Sequence, residues 1–315
     1  MSLRKLTFAS GGGIWRKIGY ALGKELVDLG CHLDVYATGN PMSMSNPRLV
    51  SEGKADLGIT RHCVVDWAMK GMKPYEKKMP NLRAVITLPR TDWINFIVGS
   101  SFGVSTYGEL VEKRPPLKIM GFGREHIVGY IVSQILQEYG ADLEDIEKWG
   151  GKAYLKGFAG IEGGPTELAG SVSPIDAIKK GLIDTYYGPA PRSPVWVKMS
   201  MAKPVSFISL EEKVIGRLNQ KYGHQHRIVH PSTYPNQERG FTTIEFPGYL
   251  IFTRKDLDDE LIKNITKAMV ENITKFAESG DGLEAQPGIG VARNWGVPLH
   301  PGAKEYYESK GWLPS

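Results

Sequence analysis

Four arginines fall where the chain's apolar strands give way to a loop or a helix: Arg16, Arg61, Arg124 and Arg192. A guanidinium at the carboxyl end of a strand can hold a carboxylate through two parallel hydrogen bonds, which a lysine cannot match. The competing reading for each is a solvated rim charge or half of an ion pair. Beside two of them lie glycine turns. Gly11, Gly12 and Gly13 precede Ile14 and Trp15, and Gly121 and Gly123 precede Arg124. Glycine lets backbone N–H groups approach an anion, and a helix start adds free N–H groups and a positive dipole end. Trp15 and Tyr234 could line a pocket by stacking, whereas Trp93 reads better as core packing. The expected ligand contacts are Gly12, Gly13, Ile14, Trp15, Thr38, Asn40, Thr60, Arg61, Gly123, Arg124, Pro189, Arg192 and Tyr234.

Other chemistries find little support. No Lys-Ser/Thr pair follows the glycines, as a P-loop requires, and no complete G-x-G-x-x-G is present. His62-Cys63 invites a thiol–imidazole reading, but adjacent residues at a strand end point in opposite directions. His224, His226 and His230 lack the helix and carboxylate companion of a metal site. No Ser-His-Asp or paired-carboxylate arrangement stands out, so neither catalysis nor a resident metal or cofactor is expected.

The elements that must position these residues alternate between strand and helix. A strand from Leu6 runs through the glycines into a helix with Ile14, Ile18, Ala21, Leu22, Leu26 and Leu29 on one face. A strand over 31–38, a short helix over 46–52 and a strand over 55–60 follow. That rhythm implies right-handed βαβ units on a parallel sheet, whose ligand edge is the carboxyl end of its strands. A helix is expected over 64–72, and strands over 82–88 and 93–99 on either side of a break at Pro89-Arg-Thr-Asp. Residues 117–126 repeat the strand–glycine–helix unit, which suggests two lobes of similar build. Glycine-rich residues 149–172 read as a long surface loop. Ser173 and Pro174 open a short helix. Residues 224–237 read as loop, 242–253 as one bent strand or a strand pair, and 256–276 as the longest helix.

The chain has 315 residues, 41% hydrophobic and 23% charged, as in an ordinary soluble globular protein. No run of apolar residues is long enough to span a membrane. A net charge of +5, with acids scattered among the bases, argues against nucleic-acid binding. Cys31 and Cys63 are the two cysteines, and the sequence leaves their pairing open.

Several pieces in order resemble the TAXI family of TRAP-transporter solute-binding proteins. They are the opening at Leu6 to Gly13, Ala55-Asp-Leu-Gly-Ile-Thr, Thr233-Tyr-Pro-Asn-Gln, Phe246-Pro-Gly-Tyr-Leu-Ile-Phe-Thr-Arg and Pro298-Leu-His-Pro-Gly-Ala-Lys-Glu-Tyr-Tyr. The resemblance implies an α/β fold of the type II periplasmic binding kind. In it, two Rossmann-like lobes of mixed sheet flanked by helices (1–95 with 250–315, and 96–249) are joined by crossing hinge strands. It also implies capture of a small organic anion, carboxylate or amino-acid-like, delivery to TRAP-type membrane transporter subunits, and no catalysis. The location would be periplasmic or extracytoplasmic if an export signal has been removed upstream, and cytoplasmic otherwise. The alternative is a cytoplasmic enzyme or ligand sensor on the same scaffold. The chain departs from the family pattern at Gly13-Ile-Trp-Arg-Lys, Thr60-Arg-His and Gly121-Phe-Gly-Arg-Glu-His, which points to an unusual ligand.

Overall fold

A computed structural model describes residues 3–11, 13–36, 44–156, 172–189, 194–278 and 290–313. In chain order the elements are β1 (Arg4–Ala9), α1 (Ile14–Val27), β2 (Cys31–Tyr36), α2 (Asn46–Ser51), β3 (Leu57–Thr60), α3 (His62–Lys70), β4 (Leu82–Trp93), β5 (Asn95–Gly99), α4 (Tyr107–Lys113), β6 (Lys118–Phe122) and α5 (Ile127–Gln137). They continue as α6 (Asp145–Lys148), β7 (Lys152–Lys156), α7 (Pro174–Lys179), β8 (Thr185–Gly188), α8 (Pro194–Ala202), β9 (Val205–Phe207), α9 (Glu212–Tyr222), β10 (Gln225–Val229), β11 (Phe241–Arg254), α10 (Asp259–Glu271), α11 (Ile273–Glu278) and α12 (Pro301–Ser309). The fold is mixed α/β. The chain divides into two compact units, residues 1–91 with 247–315, and residues 92–246, and it passes between them along β4 and β11.

In the first unit β1 lies between β2 and β3, parallel to both, with Phe8 opposite both Val35 and Leu57. The second half of β11 pairs antiparallel with β3, setting Leu250 opposite Thr60. Asp56 fastens the start of β3 to β1: its carboxylate accepts from the Thr7 N–H and from Thr7 Oγ1, both at 2.9 Å. Asn46 donates from Nδ2 to the Ile59 carbonyl at 2.8 Å and so anchors α2 to the same strand. The apolar face of α1 supplies Ile18, Leu22 and Leu26 to a core shared with Phe8, Leu57, Ile59 and Ile251, and with Ile262, Ile265 and Met269 of α10.

The second unit's sheet runs β7-β6-β8-β5-β9, with β6 parallel to β7 and β8, and β5 antiparallel to β8 and β9. Its core gathers Ile97, Met120, Ile178, Trp196, Met199 and Phe241. Ser173 accepts from the Asp176 N–H and caps α7, with Pro174 at the first helical position, as expected.

Four expectations are corrected. The break at Pro89 is absent, because β4 runs through it without interruption. Proline costs a ladder bond, and a strand whose described strand partner is β11 alone can tolerate that on its other edge. The glycine-rich stretch contains β7, paired with β6, and residues 157–171 lie outside the described residues. The loop over 224–237 contains β10, antiparallel to the first half of β11. The single long helix is α10 and α11, parted at Asn272, whose Nδ2 donates to the Ala268 carbonyl at 2.9 Å and competes with helix continuation.

Candidate ligand-binding site

At the carboxyl ends of β1 and β3 the first unit places the glycine turn before α1 and the Thr60-Arg61 turn before α3. Gly13 precedes α1 with φ 62° and ψ −136°, a region that glycine alone enters cheaply. Ser10 is fully buried; its N–H donates to the Tyr36 carbonyl at 3.2 Å and its hydroxyl to the Gly11 carbonyl at 2.8 Å. On the adjacent strand Thr60 is buried, and Arg61 stands before the first turn of α3 in extended conformation.

Tyr249 of β11 gathers the site. The Trp15 ring meets it edge-on with centroids 5.4 Å apart. The guanidinium carbons of Arg61 and Arg90 lie 5.7 Å and 5.4 Å from its ring centroid. Each contact of this kind contributes on the order of 0.5–2 kcal/mol, more as water is excluded. Arg61 is 4% exposed and Arg90 9%. Guanidiniums held this deep are costly unless hydrogen-bond or charge partners meet them, and Arg61 also stands at the N-terminus of α3. Around them, the buried Trp15 Nε1 and Thr60 Oγ1 have no hydrogen-bond partner among the described residues.

His62-Cys63 opens α3 beside this group and is unsuited to catalysis. Burial pushes the Cys63 thiol up to about 12, which leaves essentially no thiolate at neutral pH. Burial, reinforced by the Arg61 charge, lowers His62 to about 4 and keeps it neutral. Both cysteines are free and buried.

Ile14 begins α1. Arg124, in the turn after β6 with Gly123, is 42% exposed and ion-paired with Asp142 and Glu144. That is the rim ion pair weighed against ligand contact. Gly121 leaves room for the Tyr187 ring, since a Cβ there would sit 2.3 Å from it. The Pro189 carbonyl accepts from Trp196 Nε1 at 3.3 Å. Tyr234 is buried in the second unit, its hydroxyl accepting from Asn95 Nδ2 while Asn95 Oδ1 accepts from Trp93 Nε1, both at 2.8 Å. Burial lifts the Tyr234 phenol to about 12. Gly12, Thr38, Asn40 and Arg192 lie outside the described residues. His224 is buried against Gln134 Oε1 at 2.9 Å, and no cluster of three metal-ligating side chains occurs among the described residues.

Arg90 and Tyr249 escaped sequence reading. In the sequence Arg90 falls in the expected break at Pro89-Arg-Thr-Asp, and Tyr249 lies in Phe246-Pro-Gly-Tyr-Leu-Ile-Phe-Thr-Arg, a motif that carries only the resemblance. The available signal is an arginine between two largely apolar runs, residues 84–88 and 93–98.

A profile of the NMT1-like family matches residues 6–311. The chain belongs to the NMT1-like family. This NMT1-like chain also aligns with a solved protein from Bordetella bronchiseptica RB50 over 98% of its own length and 99% of that chain, at 14% identity and a TM-score of 0.53, which supports the fold. Two further solved proteins align end to end. PhnD1 from Prochlorococcus marinus MIT 9301, in complex with methylphosphonate, is 13% identical with a TM-score of 0.49, covering 99% of each chain. Lactococcal OpuAC, complexed with glycine betaine, is 13% identical with a TM-score of 0.47, covering 99% of this chain and 100% of that one. Among the described residues of this NMT1-like protein no helix is long and apolar enough to cross a membrane.

Proposed function

We propose that the chain is a solute-binding protein that captures a small organic anion, carboxylate or amino-acid-like, on its first unit and passes it to a membrane transporter without chemical change. The observation that carries this reading is the group around Tyr249: two buried guanidiniums and the Trp15 ring against one aromatic ring, beside the glycine turn that opens α1. Guanidiniums supply forked donors for a carboxylate, the helix start supplies dipole, and the aromatic rings supply apolar contact for the ligand's body. The proposed partners are TRAP-type transporter subunits, and the proposed location is extracytoplasmic. That narrower TAXI-like assignment rests on the order of motifs from Leu6 to Tyr307 within the NMT1-like family.

Thermal-shift screening against amino acids, keto acids, dicarboxylates and aromatic acids should find a stabilising anion, because ligand bound only to the folded chain raises its stability. Arg61→Met and Arg90→Met should each weaken that anion by roughly 10–100-fold, the worth of about 1.5–3 kcal/mol in hydrogen bonds to a charged group. Hits confined to neutral or cationic compounds, or full affinity in both variants, would overturn the reading.

A further inference from the structure

Residues 290–300 form a strap along β4. The Thr87 N–H donates to the Val291 carbonyl at 2.9 Å and its hydroxyl to the Arg293 carbonyl. Three residues back along β4, the Ala84 N–H donates to the Pro298 carbonyl at 2.8 Å and the His300 N–H to the Ala84 carbonyl at 2.9 Å. Between these fastenings Trp295 has φ +52°. A bulky residue in the left-handed region is strained and persists only where its surroundings over-determine it. What this conformation secures is a ring stack. The Trp295 indole lies on the His62 imidazole with centroids 5.1 Å apart and planes 30° apart, and the Arg293 guanidinium lies 5.6 Å from the indole.

Ordinary packing does not account for the polar edges of that stack. Trp295 Nε1 and His62 Nδ1 are both buried, and neither has a hydrogen-bond partner among the described residues. His62 is 6% exposed, and the hydroxyl of Thr60, two residues upstream, is likewise buried without a partner among them. Each such atom gives up the hydrogen bond it would make to water if nothing meets it. Buried polar groups left over beside strained backbone mark places where a ligand completes the bonding. Arg61 stands between Thr60 and His62 in the chain, so the stack and the proposed anion site are carried by one short segment, the turn from β3 into α3.

We propose that the His62–Trp295 stack is a second, uncharged recognition wall of that site, whose indole N–H and flanking Thr60 hydroxyl receive an oxygen acceptor on the ligand distinct from the carboxylate held by arginine. The ligand is then an acid carrying a second oxygen function, and Trp295 selects for it. This rests on the anion reading above. An indole N–H donates and cannot accept, and the neutral imidazole adds no charge, so this wall recognises an acceptor of either charge state. An acid lacking that oxygen leaves the donors unmet and binds more weakly.

Titration calorimetry with propionate, lactate, pyruvate, malonate and succinate tests this. The wild type should bind at least one of the oxygen-bearing acids 10-fold or more tighter than propionate. Trp295→Phe keeps an aromatic ring and removes the donor, and Thr60→Val keeps the shape and removes the hydroxyl. Either should cut that ratio to within about 3-fold while changing propionate affinity by less than about 3-fold. Arg61→Met should weaken all five together. A ratio unaltered in both variants, a wild type that does not discriminate, or no binder in the panel overturns the proposal. Uniform loss in Arg61→Met with an unaltered ratio in Trp295→Phe and Thr60→Val would leave the anion site standing and remove the second wall alone.

Discussion

Replacing Gly302 with alanine is expected to cost about 3–4 kcal/mol of folding stability, measured by urea denaturation. Gly302 is the second residue of α12, and a Cβ there would lie 1.9 Å from the Asp259 carbonyl oxygen and 2.9 Å from the Lys263 nitrogen. Both are backbone atoms of α10, so no side chain can swing aside. The two helices would have to separate, exposing part of the face on which Ala303, Tyr306 and Tyr307 meet Ile262 and Ile265. A matched control exists in the second unit. Gly216 lies inside α9 with nothing within 4 Å of a Cβ, so Gly216→Ala should instead stabilise by about 0.5–1 kcal/mol through helix propensity. An equal response at the two positions would show that the close approach of α12 to α10 is not what requires Gly302.

That contact also bears on how far the sequence could be read. Pro298-Leu-His-Pro-Gly-Ala is part of a motif shared in the resemblance, and nothing local in it says that its glycine is the floor of a helix crossing. Close approach is a tertiary fact. The periodic elements were legible because their signal is local: Ile18, Leu22 and Leu26 recur at helical spacing and do line the core. The carboxyl-edge location of Ser10–Gly13 and Arg61 followed from strand–helix alternation for the same reason. Residues whose role depends on a distant strand were not legible. Tyr249 acquires its neighbours because β11 returns antiparallel beside β3 almost two hundred residues later, and Arg90 acquires its own because β4 ignores a proline. The strand β10 was invisible because Gln225-His-Arg-Ile-Val leaves His226 and Ile228 both outward, so that no apolar alternation marks it. Trp295 could not be found by type or spacing, since its strained backbone is imposed by the strap that Thr87 and Ala84 hold.

Acidification from pH 7 to pH 4 is expected to remove about 3 kcal/mol of stability through His62 alone. Its folded-state pKa is lowered to about 4, first by burial and then by the Arg61 charge, against about 6.5 for an exposed histidine. Below 6.5 the unfolded chain takes up a proton that the folded chain refuses, so the unfolded state gains. The contribution is therefore complete above pH 6.5 and is lost as pH falls to about 4, where the folded imidazole also protonates. His300 is lowered in the same direction by burial, so the wild-type profile alone would not isolate His62. The informative quantity is the difference between wild type and His62→Asn across urea unfolding at pH 7, 5.5 and 4. The variant should be less stable at pH 7, because the Trp295 stack loses its partner, and should fall less steeply on acidification, so that the two curves converge toward pH 4. Parallel curves would mean that His62 titrates as an exposed histidine does, and that neither its burial nor the neighbouring guanidinium holds it neutral.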